Sequence, residues 1–275
     1  MSLKLGCNAG IFPAANSAVP GLLGVRSYRD TVNDIPTVWP GVPGATNTTV
    51  SLRPDLDALL GNTPVPDNGS GFTTLAGQIT YLAQQAPVLS KLTIWHEAGN
   101  LYQDNPAITP QKIRSSHVVC HTACAGTNVD YGCIIYGDIV NMTQWIPGAN
   151  GSYPMDWYGI DVYDNTASNN GSSFRNTDGS ISQSKVNAYL TQYRTLAQAR
   201  SGITWPQIDI CECNASLARE QYRGPFFKAL ASWLNSNGGR RLQVFYKTGG
   251  VDGGDWLPDD AATIAALNFI ATTYA

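Results

Sequence analysis

The chain has 275 residues, and 17 basic against 20 acidic side chains give it a net charge of −3. That length suffices for one large domain with a well-buried core, and a single domain over residues 1–275 is expected. With no run of about 20 apolar residues and no basic block to track a phosphate backbone, membrane insertion and nucleic-acid binding are set aside.

Taken in chain order, β-branched and apolar runs alternate with helical or loop segments. Strand-like runs occur at LKLGCNA (3–9), GVRSY (24–28), TVSLR (49–53), KLTIWHE (91–97), YGCIIYG (131–137), DWYGIDVY (156–163), QIDICE (207–212) and LQVFYK (242–247). Amphipathic helical patterns lie at 56–60, 74–89, 109–124, 184–200, 224–237 and 259–274. Thr109-Pro110 and Ser184 suit helix starts, and Gly238-Gly239 suits a stop. The segments after the first strand (GIFPAANSAVPGLLG) and after the fifth (YGDIVNMTQW) have weaker helical patterns.

Eight strands alternating with helices predict a (β/α)8 TIM barrel. The open doubly wound sheet is the alternative, but it calls for a glycine-rich fingerprint after the first strand, which this sequence lacks. In a barrel, alternate strand residues face the interior. Counting back from Glu212 places Ile210 and Ile208 on its face, and counting back from Glu97 places Trp95 and Thr93 inward. In the sixth strand Asp161 and Tyr163 point inward, with Ile160 and Val162 outward. Glu97 and Glu212 therefore end inward registers at the carboxyl ends of strands four and seven, the rim that holds active sites in barrel enzymes.

Two carboxylates facing each other across a rim match the needs of glycosidic cleavage. One protonates the leaving oxygen and the other meets the oxocarbenium-like carbon. Trp95 and His96 would give Glu97 partly apolar surroundings that raise its pKa. The alternative for either glutamate alone is a solvated loop residue.

These segments resemble the clan A (4/7) retaining glycoside hydrolases. IWHEAGN is similar to the WHE acid/base segment of family 26 mannanases, and WYGIDVYD is similar to their sixth strand. The resemblance implies a cofactor-free glycosidase acting on a β-linked poly- or oligosaccharide by retention. It makes Glu97 the acid/base, Glu212 the nucleophile, Tyr163 the partner of the nucleophile, and His96 a substrate- or acid-orienting residue. Arg26 in GVRSYRD is a candidate to lower the nucleophile's pKa or to form a structural salt bridge; Arg53 is a second. Asp161 would contact substrate or join a network with Arg26. The sequence departs from the family at CNAS after Glu212, and at VFYKTGG, where a tryptophan floor is common; Tyr246 or Trp256 could replace it. Trp39 and Trp256, in rim-side loops, are candidate sugar platforms or loop-packing residues, whereas Trp205 belongs to the opposite rim. The polar loop 164–182 is a lid, a substrate wall or a tolerated insertion.

The chief rival is a non-catalytic carbohydrate-binding TIM barrel, which would keep the aromatic residues without needing both glutamates. Ser–His–Asp chemistry lacks its G-x-S-x-G turn, and three histidines are too few for a metal-dependent hydrolase. His117, Cys120, His121 and Cys124 share a helix face; they are small core residues of a packed helix or, alternatively, a metal site or disulfide. The remaining cysteines, in strands, read as buried hydrophobes. Low charge with abundant Asn, Thr, Ser and Gly suits a secreted or extracellular protein. No signal peptide is expected within MSLKLGCN, and a monomer is expected.

Overall fold

Short β-favouring runs can bury both faces only when helices cover one side and other strands the other, and a closed parallel barrel does both. The computed structural model describes residues 2–96, 98, 105–136, 143–148, 155–164, 174–215, 217–245 and 260–274. Its strands are Lys4–Asn8 (β1), Leu22–Tyr28 (β2), Asn47–Leu52 (β3), Ser90–Ile94 (β4), Val129–Tyr136 (β5), Trp157–Asp164 (β6), Ile208–Ala215 (β7) and Arg241–Val244 (β8). Each pairs in parallel with the next, and β8 returns to β1, closing the barrel.

The described helices are Phe12–Ala18 (α1), Leu56–Leu60 (α2), Leu75–Gln84 (α3), Pro110–Cys124 (α4), Gln183–Ser201 (α5), Arg223–Ser236 (α6) and Ala261–Thr273 (α7). Asp55, Thr74, Thr109, Ser182 and Asp260 cap five of them by accepting a backbone N–H of the first turn. Thr109 starts α4 as expected, whereas Ser182 rather than Ser184 caps α5. The irregular segment after β1 forms the short α1, and the segment after β5 contains a single 3₁₀ turn, Thr143–Trp145, among the described residues. No described helix is long and apolar enough to cross a membrane.

The barrel interior is stacked in layers. At the amino ends of the strands, Lys91 of β4 meets Asp209 of β7, and Arg241 of β8 donates to Thr49 of β3 at 2.6 Å. These strand pairs are not neighbours, so the contacts cross the interior. Above them Ile134, Trp157 and Cys211 form a small apolar cluster separate from the main helix-facing core. Glycine makes room for that indole: a Cβ at Gly132 would lie 2.4 Å from the Trp157 ring and from its carbonyl oxygen.

One expectation of register fails. Ile208 and Ile210 belong to the helix-facing core, while Asp209 and Cys211 face inward. Ile160 pairs with Ile210 but Asp161 pairs with Glu212, so β7 carries one extra residue at Cys211. This bulge shifts the alternation by one, and that shift is what brings Glu212 inward after an inward Cys211. In β6 the alternation holds: Ile160 and Val162 pack in the main core.

Candidate active site

At the carboxyl ends of the strands, several β-strands converge on one carboxylate. Glu212 Oε1 accepts from the phenol of Tyr28 at 2.6 Å and lies 3.1 Å from Arg26 Nη1; Glu212 Oε2 accepts from the phenol of Tyr163. Tyr28 and Arg26 come from β2, two residues apart on one face, and Tyr163 comes from β6. Both carboxylate oxygens are thus held by donors on strands that flank or face β7, which leaves the side chain little freedom to rotate.

Arg26 is fully buried. It also reaches Asp161 at 3.2 Å, the Cys211 carbonyl at 2.9 Å and Ser51 Oγ at 3.4 Å. Burial alone would weaken the protonated guanidinium, but Tyr28, Asp161 and Glu212 around it hold its pKa well above the ordinary arginine value. Burial also drives the Tyr28 phenol far above the usual tyrosine range; Arg26 opposes this and the Glu212 carboxylate adds to it, so Tyr28 stays a proton donor.

Aromatic rings wall this carboxylate. Phe245 lies edge-on to both Tyr28 and Tyr163 with centroids 6.2 Å apart in each pair, and Tyr136 lies edge-on to Tyr163 at 5.7 Å. His96 packs edge-on to Tyr28 at 5.2 Å. Burial, with the positive charges of Arg26 and Arg53, pushes the imidazole well below its usual value, so His96 is neutral. Its Nδ1 is buried without a hydrogen-bond partner among the described residues.

The structure therefore brings together Arg26, His96, Asp161, Tyr163 and Glu212 of the residues singled out from sequence. Glu97, Tyr246 and Trp256 lie outside the described residues, as does part of the loop 164–182. Trp95 departs from expectation. β4 ends at Ile94, Trp95 takes a left-handed backbone (φ 44°), and its buried indole donates to the Pro54 carbonyl at 2.7 Å. The turn breaks the inward count from Glu97, and the indole is tied to the loop after β3. Arg53 lies over that indole and pairs with Asp30. Trp39 is buried within its loop, whereas Trp205 is exposed and lies against Arg194.

Two participants escaped the sequence reading. Tyr28 stands two residues after Arg26 and so shares its face; that parity was the available signal. Phe245 adjoins the Tyr246 that was singled out.

On α4, His117 bonds the Tyr131 hydroxyl at 2.9 Å, His121 lies 3.4 Å from Asp156, and Cys120 and Cys124 are free buried thiols. Burial pushes the Cys124 thiol up to about 12. His117, Cys120 and Cys124 are packed core, whereas His121 is only half-buried. Among the described residues, no group of three or more His, Cys, Asp or Glu is disposed to hold a metal ion.

No protein-family model matches the chain, and no curated protein sequence matches it. Solved structures do. Thermotoga maritima Cel5A in complex with cellobiose superimposes with a TM-score of 0.56 at 11% identity, over 96% of this chain and 97% of that one. The Podospora anserina GH26-CBM35 β-(1,4)-mannanase gives 0.53 at 14% identity, over 97% of this chain and 60% of that one. XEG5A, a GH5 xyloglucan-specific endo-β-1,4-glucanase from a metagenomic library, gives 0.51 at 15% identity, over 93% and 85%. What these likenesses establish is the fold: the chain is a (β/α)8 barrel of the same architecture as solved GH5 and GH26 glycoside hydrolases.

Proposed function

We propose that the protein is a glycoside hydrolase that cleaves a β-linked poly- or oligosaccharide with retention of configuration, needing no cofactor. The observation that carries this reading is the clamped carboxylate: Glu212, in the carboxyl half of β7 and three residues before its end at Ala215, has a phenol on each oxygen and Arg26 beside one of them. A carboxylate so oriented meets a carbon that develops positive charge without first having to reorganise. In the proposed reaction Glu97, three residues beyond β4, protonates the glycosidic oxygen while Glu212 attacks the anomeric carbon. The leaving alcohol departs, and a glycosyl ester forms on Glu212. Glu97, now a carboxylate, takes a proton from water, which attacks the same carbon and frees Glu212. Tyr28 and Tyr163 orient the nucleophile, and neutral His96 offers its unpartnered Nδ1 to a sugar hydroxyl or to the acid. The solved barrels it superimposes on include one bound to cellobiose and a β-(1,4)-mannanase, which supports a β-linked substrate.

The test uses Glu97→Gln and Glu212→Gln against a panel of β-linked polysaccharides and aryl glycosides. Each substitution should reduce turnover by orders of magnitude while the fold persists. With Glu212→Ala, added azide should return a glycosyl azide of inverted configuration. Wild-type turnover in either Gln variant refutes the mechanism, and sugar binding without hydrolysis in the wild-type protein identifies a carbohydrate-binding barrel instead.

A further inference from the structure

The opposite mouth of the barrel holds a cluster of charge that the proposed chemistry does not use. Lys4 begins β1, Lys91 lies at the start of β4, and Arg240 and Arg241 lead into β8. Together with Asn47, Asp130 and Leu89 they line a cavity of about 200 Å³. At about 30 Å³ per water, that holds several waters or one small ion with part of its shell. A protein of net charge −3 thus gathers four cations at one pore.

The negative charges there are too few. Asp209 is the carboxylate in contact with Lys91, Asp130 lines the cavity and Asp156 lies within electrostatic reach of Lys91, so the formal balance is four cations against three carboxylates. Asp209 spends its second oxygen largely on backbone: the Arg240 and Arg241 amides donate to Oδ1 at 3.0 and 3.1 Å. Burial pushes the Lys91 ammonium and the Arg241 guanidinium below their ordinary ranges despite that neighbour. Both buried cations act on Asp209, with Asp130 also acting on Arg241 and Asp156 near Lys91; these carboxylates do not outweigh the cost of burial at either cation. The charged groups of Lys4 and Arg240 have no ion-pair or hydrogen-bond partner among the described residues. Asn47 Oδ1 is likewise buried at this mouth without a hydrogen-bond partner there, an acceptor for a protonated oxygen.

We infer that the amino-terminal mouth of the barrel is a second ligand site, taking a dianionic phosphate group between Lys4, Lys91, Arg240 and Arg241. The Lys4 and Arg240 side chains form its outer wall. Lys91 and Arg241, fixed by Asp209 and Thr49, form its floor. Asn47 accepts the proton of a monohydrogen phosphate. The site lies at the far end of the barrel from Glu212, so it binds whether or not the glycosidase reading holds.

The test is calorimetric titration of the full chain with inorganic phosphate, against sodium chloride at equal ionic strength, with the thermal midpoint followed in parallel. Phosphate should release or absorb heat with saturation and raise the midpoint above that in chloride, as any ligand of the folded state does. Lys4→Ala/Arg240→Ala, which removes two side chains without bonding partners, should weaken phosphate binding about tenfold or more, in line with the loss of charge-assisted hydrogen bonds. Lys4→Arg/Arg240→Lys should retain it. Phenyl phosphate in place of inorganic phosphate separates the sources: tighter binding of the ester points to a phosphorylated metabolite, and tighter binding of the free ion points to phosphate itself. Equal responses in the wild-type protein and the double alanine variant, or no response beyond chloride, overturn the site.

Discussion

Asp209 is the residue whose loss the fold should tolerate least. It is completely buried, and it accepts from Lys91 Nζ, from two backbone amides at 3.0 and 3.1 Å and from Gln207 at 3.3 Å. Asp209→Asn keeps the shape, and its oxygen can still serve the Arg240 and Arg241 amides. What it loses is the counter-charge: an amide N–H then faces the buried Lys91 ammonium. Breaking a buried pair by removing one partner costs about 3–5 kcal/mol. That is a large share of the roughly 5–15 kcal/mol that holds a folded domain together. At about 2 °C per kcal/mol for a chain of this size, the midpoint should fall by roughly 6–10 °C. The penalty has a pH signature. Lys91 is already pushed below 10.5 by burial, and without Asp209 it releases its proton more readily, so the deficit should shrink as pH rises from 7 towards 10. In the wild-type protein the two nearby cations hold the Asp209 carboxyl below 3.8, against the penalty of burial. Its contribution is therefore whole above about pH 4 and is lost as acid titrates the folded carboxylate. Adding Lys91→Met to Asp209→Asn removes the stranded charge and should recover stability to within about 1–2 kcal/mol of wild type. Urea unfolding at pH 7 and at pH 9.5 measures all three proteins. A loss under 1 kcal/mol in Asp209→Asn, or no recovery on adding Lys91→Met, refutes the account of this layer as a dependent ion pair.

Tyr28→Phe and Tyr163→Phe each strip one donor from Glu212 while Arg26 remains. Each should lower kcat/KM by about 10- to 100-fold, the worth of a hydrogen bond to a charged group, and wild-type steady-state kinetics in both would remove the phenols from the proposed mechanism. The imidazoles of His96 and His117 are kept neutral by burial, His117 down to about 3. Unfolding lets both take protons below 6.5, so stability should fall on acidification by up to about 1.4 kcal/mol per pH unit for each imidazole; NMR titration of either ring near pH 6.5 in the folded protein would contradict this. Gly132→Ala puts a methyl group 2.4 Å from the Trp157 ring and carbonyl, a clash that backbone must absorb. It should destabilise the barrel by about 1–3 kcal/mol, and an unchanged midpoint by scanning calorimetry would show that the Gly132–Trp157 packing is looser than described.

What the sequence determined by itself was whatever depends on local pattern. Strand runs of Val, Ile and Tyr, a helix start at Thr109, and the alternation of strand and helix patterns predict the barrel, because each element's buried face is written in its own few residues. The same locality made Asp161 and Tyr163 legible: β6 runs without interruption, so counting by two reaches the interior. Counting failed where backbone geometry changed. The extra residue at Cys211 and the left-handed turn at Trp95 have no strong sequence signature; the first shifts the alternation along β7, and the second takes Trp95 itself out of the strand's register. Tertiary structure alone decided which partners meet. Tyr28 and Glu212 are 184 positions apart, and Lys91 and Asp209 are 118 apart. Each pair meets only because closing eight strands into a ring brings distant segments across one interior, and that closure is a property of the whole chain rather than of any segment.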